Sequence, residues 1–177
     1  MESTRKYVSR NSKKAFTLVE LVVVIAILAV LAAIAIPTII GIINSASKSQ
    51  VDTDAASIDA AVKEFHAGVT SGMIHSGNLP SSVSVVGTFP AAGGGNSVKN
   101  SYANNTATLK QAMQYAGIWD KLNVGLEGGN FGYADGDVVA AVDGDGNAIS
   151  STAAGSAITV ITGSTAGDTT IGTIMKR

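Results

Sequence analysis

The sequence predicts an α+β chain: one long N-terminal helix, apolar in its first half, whose second half packs on a small antiparallel β-sheet head. Three observations carry this. The run from Phe16 to Ile43, FTLVELVVVIAILAVLAAIAIPTIIGII, holds a single charge, Glu20. Val51, Ala55, Ile58, Val62, Phe65 and Val69 then recur at spacings of 4, 3, 4, 3 and 4, the stripe of an amphipathic helix. Beyond that, short apolar runs alternate with glycine-rich turns, the pattern of strands and reversals.

Composition narrows the function classes. Only 14% of the 177 residues are charged, well below the usual ~25%, and aromatics make up 5%. No cysteine is present, which removes disulfides, Cys-ligated zinc, iron–sulfur clusters and thiol catalysis. Lysines and arginines number 12 against 13 acids, so no global field favours nucleic acid. The balance is uneven along the chain. Arg5, Lys6, Arg10, Lys13 and Lys14 form a basic head, and the remainder is mildly acidic.

The elements follow in order. Residues 1–15 form the basic head, 16–43 read as a transmembrane helix, 44–72 as its amphipathic continuation, and 73–177 as a globular α+β head. About 20 apolar residues suffice to cross a bilayer, and basic residues before the span predict an N-terminus inside and an exported C-terminal part. A buried helix of a soluble protein is disfavoured, because the remaining chain is too small and glycine-rich to wrap it. A secretory signal cut after Ala33-Ile34-Ala35 is disfavoured too, because the apolar run continues through Ile43 and contains Glu20. A helix from Phe16 to about Ser71 would have roughly 56 residues and extend about 84 Å. Pro37 removes one backbone donor and Gly41 lowers helix propensity, so a kink is expected near them.

In the head, Val83–Phe89 is a candidate strand and Thr106–Ala116 a short helix. Asp137–Val142, Ala157–Thr162 and Thr169–Met175 are strand candidates. Asp143-Gly144-Asp145-Gly146-Asn147 and Gly163–Asp168 supply turns, and Ala148–Ser150 extends a hairpin. Trp119, Tyr115 and Tyr102 read as head core, and His66 and His75 as packed or solvated. No nucleophile–base set, carboxylate cleft or phosphate-binding loop stands out, so the chain does not read as an enzyme.

Glu20 is the residue that asks for a partner, since an ionised group inside an apolar span needs one. No cation follows it within the segment. Were the chain cut before Phe16, the new α-amino group would lie four residues away, one helical turn. It would be within reach of Glu20 on its own chain or on a neighbouring one.

The stretch Lys13-Lys14-Ala15-Phe16-Thr17-Leu18-Val19-Glu20, with the long apolar run and Pro37, resembles the type IV prepilin family over about 30 residues. The resemblance implies cleavage between Ala15 and Phe16 by a prepilin peptidase and N-methylation of Phe16. It also implies a register-setting salt bridge from Glu20 to the Phe16 amine of an adjacent subunit, and a helix kinked at Pro37. Where the family usually places glycine before the cut, this chain has Ala15. The implied protein is a pilin-like lollipop, a single-pass cytoplasmic-membrane precursor that becomes a homo-oligomeric extracellular filament. Its partners would be an assembly platform, motor ATPases and minor pilins, and its roles adhesion, motility or DNA uptake. A pseudopilin of a secretion or competence machine shares the same N-terminus. A membrane-anchored or secreted binding domain that never polymerises is the alternative of another class.

No cofactor is expected. Asp143, Asp145 and Asn147 alternate like the start of a calcium loop, but Ala148 and Ala154 occupy the positions where an EF-hand needs glycine and glutamate. The residues favour plain turns over an irregular calcium site of the kind some pseudopilins hold.

Overall fold

A computed structural model describes residues 16–84, 107–149 and 157–175. Its element order is a long helix, a short helix, two paired strands, a third strand and a final helical turn. The chain divides into two units at Ile40–Gly41.

The first unit, as far as it is described, is the beginning of α1, the helix Leu18–Ser71. Every described residue of this unit is exposed. Its mean hydropathy reaches 3.1 over an 18-residue window, so it is long and apolar enough to cross a membrane. The helix runs on through Pro37 without a break in its assignment. Four hydroxyls along α1 donate to the carbonyl four residues earlier: Thr38 to Ile34 (3.0 Å), Ser45 to Gly41 (2.9 Å), Thr53 to Ser49 (2.8 Å) and Ser57 to Thr53 (3.0 Å).

The second unit holds the core. Val51, Ala55, Ile58, Val62, Phe65 and Val69 are all buried, the same six positions that the sequence spacing selects. They pack with Leu109, Met113, Phe131, Ile161, Ile171 and Ile174 in one cluster. The helix stops at Gly72, whose φ of 77° fits a residue without a Cβ. The reversal is closed by Gly72 N–H donating to Val69 O (3.1 Å) and Ile74 N–H to Gly68 O (3.0 Å). Gly68 leaves room for it, since a Cβ there would stand 2.4 Å from Ile74 Cδ1.

The short helix α2, Leu109–Tyr115, starts on a capping box in which Thr108 and Gln111 satisfy each other's backbone N–H. The expected helix Thr106–Ala116 is thus present and slightly shorter. Tyr115 meets Phe65 edge-on at 5.4 Å. Trp119 packs half-buried against the core, and Tyr102 lies outside the described residues.

The sheet has three antiparallel strands: β1 (Phe131–Ala134), β2 (Asp137–Ala140) and β3 (Thr159–Ile161), in the order β2-β1-β3. Phe131 pairs with Ala140 on one side and Ile161 on the other. The sheet is tied to α1 by polar contacts. Val138 N–H donates to Asp59 Oδ1 (2.9 Å), and the Lys63 ammonium bridges Asp59 (2.8 Å) and Asp137 (2.6 Å). The α+β class expected from the sequence is what the chain adopts.

Several expected elements differ in detail. The central strand β1 was not expected, and the strands expected at Asp137–Val142 and Ala157–Thr162 contract to β2 and β3. Val142 makes an isolated bridge to Ala148, so the hairpin does extend past its turn. The strand expected at Thr169–Met175 is a correction. Thr170 bridges Thr108, and Ile171–Ile174 forms a helical turn, α3. The reason is spacing: Ile171 and Ile174 are both buried, and residues three apart share a face in a helix but not in a strand. The turn expected at Gly163–Asp168 includes a 3-10 turn at Ala166–Asp168. At the expected strand Val83–Phe89, Val83 and Ser84 are not in a strand, with Val83 N–H bonded to Pro80 O (3.0 Å). Residues 85–89 lie outside the described residues.

Candidate functional site

The start of α1 is where the sequence places its chemistry. Thr17 precedes the first helical residue, Leu18, and Glu20 is the third residue of the first turn. Helix starts leave backbone N–H groups without intrahelical partners. Here Thr17 N–H and Thr17 Oγ1–H both donate to Glu20 Oε2, each at 2.9 Å, while Glu20 N–H donates to Thr17 Oγ1 at 3.2 Å. This reciprocal arrangement is a capping box. The reading of the sequence missed it, although threonine followed three positions later by glutamate before an apolar run is its recognised signal.

Glu20 Oε2 therefore accepts two hydrogen bonds from one residue, Thr17, and its Oε1 stays without a partner among the described residues. Its place at the positive end of the helix dipole also favours the carboxylate. Phe16, just outside the cap, is 82% exposed. Ala15, on the other side of the expected cut, lies outside the described residues. In the uncut chain the Phe16 nitrogen is an amide, and only hydrolysis of the Ala15–Phe16 bond would turn it into a cation.

From this cap onwards the helix surface is wholly apolar up to Ile36, and nothing in the unit covers it. A family profile described as the prokaryotic N-terminal methylation motif matches residues 10–36. That span covers the end of the basic head, Ala15, Phe16, Glu20 and most of the apolar run. The chain carries the signature of type IV pilin and pseudopilin precursors. With its apolar helix, the signature fits a membrane-anchored precursor. No curated protein and no solved structure matches this chain.

Pro37 and Gly41, the expected kink, lie within the continuous helix. Pro37 has no N–H to offer the Ala33 carbonyl. A Cβ on Gly41 would meet nothing within 4 Å.

Asp143, Asp145 and Asn147 are brought together, but as a turn. Asp143 Oδ1 accepts the N–H groups of Asp145 and Asn147, both at 2.9 Å, and Asn147 Nδ2 reaches Asp143 Oδ2 at 3.4 Å. The Asn147 backbone bond foremost, with those of Asp145 and Gly146, holds the Asp143 carboxyl below its usual range. Both oxygens of Asp143 are engaged within the loop. Among the described residues no group of three or more His, Cys, Asp or Glu side chains converges to hold a metal.

Two polar features of the second unit stand out, of which Asp54 was not read from the sequence and His66 was read as packed or solvated. Asp54 is buried beneath the loop at Asn123 and accepts from Asn123 Nδ2 (3.2 Å) and Val124 N–H (2.9 Å). His66 keeps a buried Nδ1 without a hydrogen bond, and burial lowers its pKa from the usual imidazole value.

Proposed function

We propose that this chain is the precursor of a type IV filament subunit, cut between Ala15 and Phe16, N-methylated on Phe16 and polymerised through its apolar helix. The observation that supports this best is the coincidence of the methylation motif at residues 10–36 with a helix whose apolar residues from Phe16 to Ile43 are all exposed. Such a surface needs a cover. Before assembly lipid provides it, with the N-terminus on the cytoplasmic side; after assembly the same helix of other subunits does. Burial of this area supplies cohesion without direction, so register has to come from a directional contact. Glu20 provides it. Its Oε1 is available to the Phe16 ammonium of a neighbouring subunit while Oε2 stays on Thr17. In the low-dielectric filament core such a pair acts mainly as a specifier, because desolvation offsets much of its attraction.

A prepilin peptidase, an assembly platform, motor ATPases and minor pilins would handle the subunit. The heads would form the outer surface that adheres, pulls in motility or takes up DNA. A mass measurement of the mature protein tests the first step. A start at methylated Phe16 is expected, and a start beyond Ala35 or an intact leader overturns the reading. Deletion tests the second: surface fibres that vanish identify a pilin, whereas a secretion or competence defect without fibres identifies a pseudopilin. An anchored protein that never polymerises would show neither.

A further inference from the structure

The turn Asp143–Asn147 does more than reverse the chain. Gly146, at φ 82°, lies directly on the backbone of α1. A Cβ at this position would stand 3.2 Å from the Asn44 carbonyl oxygen, 3.5 Å from the Lys48 nitrogen and 3.5 Å from Ser47 Cβ. Asn44 O and Lys48 N are the two ends of one rung of the helical hydrogen-bond ladder. The glycine therefore covers that rung from one side. Burial agrees: Asn44 and Lys48 are half-buried, while every other residue from Gly41 to Gln50 is exposed.

The turn is built for this contact. Asp143 holds the loop from within through Asp145 and Asn147, and the Asp143 N–H closes it on Asn147 O at 2.9 Å. Upstream the helix is weak. No described side chain before Asn44 is buried, Pro37 removes one rung, and Gly41 disfavours the helical state relative to alanine. Opening that begins there spreads along the ladder until a tertiary contact opposes it, and the first fully buried residue, Val51, comes one turn further on.

We propose that the Asp143–Asn147 turn is a clamp on α1, with Gly146 seated on the Asn44–Lys48 rung as the stop at which opening of the Pro37–Ile43 stretch ends. The helix before Asn44 then loosens and reforms without disturbing the head. The device belongs to the single chain and operates whether or not the chain polymerises.

Amide hydrogen exchange on the full-length protein in detergent micelles tests it. Gly146→Ala forces a side chain into a left-handed conformation against the helix backbone. The Lys48 amide and its immediate neighbours should then exchange about tenfold faster, with little change from Ile58 onwards. Gly144→Ala is the control, because a Cβ at Gly144 meets nothing within 4 Å. Unchanged exchange at Lys48 in the first variant, or an equal rise in the second, overturns the clamp. A second route covers misfolding of the alanine variant. The chain has no cysteine, and the 3.5 Å separation at Ser47 lies at the short end of the roughly 3.5–4.5 Å Cβ range of disulfides. In Ser47→Cys/Gly146→Cys protein, oxidation should slow exchange at Lys48 relative to the reduced form. Equal exchange in both forms also overturns the proposal.

Discussion

Glu20 caps the start of α1 and, in the proposed function, also sets subunit register; two substitutions separate these roles. Glutamine retains an oxygen able to accept from Thr17, so Glu20→Gln should keep the helix start and lose the charge. Exchange of the first-turn amides in micelles should stay at the level of the unaltered chain, while filaments fail to form. Glu20→Leu removes both functions and should also free those amides. Filaments that assemble normally from the glutamine variant would refute the register role. Thr17→Ala tests the other half of the box and should weaken the helix start by about 1 kcal/mol, read as faster exchange between Leu18 and Val22. His66 gives a pH signature. Its folded pKa lies below the usual 6.5 because of burial, so the neutral ring is the form that the fold prefers. Stability is complete above that value and declines as the pH falls through it towards the lower folded pKa, since the unfolded chain binds the proton first. The Tm of the full-length protein should therefore drop as the pH falls through the usual imidazole value of 6.5, and His66→Gln should flatten the drop.

Among the elements, the long helix was the easiest to read and the sheet the hardest, for a physical reason. A stripe such as Val51–Val69 repeats its period over five spacings, and one buried face accounts for all of it. Strand β1 is four residues, Phe-Gly-Tyr-Ala, half of them small. Its glycine is there for a close approach, since a Cβ on Gly132 would stand 2.8 Å from the Thr159 carbonyl oxygen. Gly132→Val should accordingly disrupt the β1–β3 pairing, visible as loss of protection at Val160 and Ile161. A signal for β1 was present in Asp135-Gly136, whose φ values of 52° and 88° fit the tight hairpin turn that Asp-Gly favours. At the candidate site, Glu20 drew notice because a charge in an apolar run demands an explanation, whereas the cut between Ala15 and Phe16 came from the family resemblance and stands as a proposal. The cap on Glu20 was overlooked because its partner, Thr17, is uncharged. Asp54 could not be inferred at all, because the loop that buries it comes from residues 69 and 70 positions later.

At the scale of the molecule, a head without disulfides depends on contacts such as that of Asp54. Asp54→Ala leaves the Val124 N–H and the Asn123 amide without their acceptor and should cost about 1–3 kcal/mol in denaturant unfolding of the full-length protein. Asp52→Ala, at an exposed neighbour, should stay within about 0.5 kcal/mol. The Lys63 bridge acts at the other end of the pH scale. Asp137 first, and Asp59 with it, raises the lysine's pKa, so on the alkaline side the contribution is complete below the usual lysine value and is lost as the pH rises through the raised one.

The hydroxyl of Thr38, inside the apolar stretch, has a consequence for the transit that the proposed function requires. A rod that leaves hydrocarbon for a crowded proteinaceous interior ordinarily has to find fresh acceptors for every alcohol it exposes. Thr38 would travel with its own, the proton already resting on the Ile34 carbonyl one turn back, so a change of surroundings would not strand it.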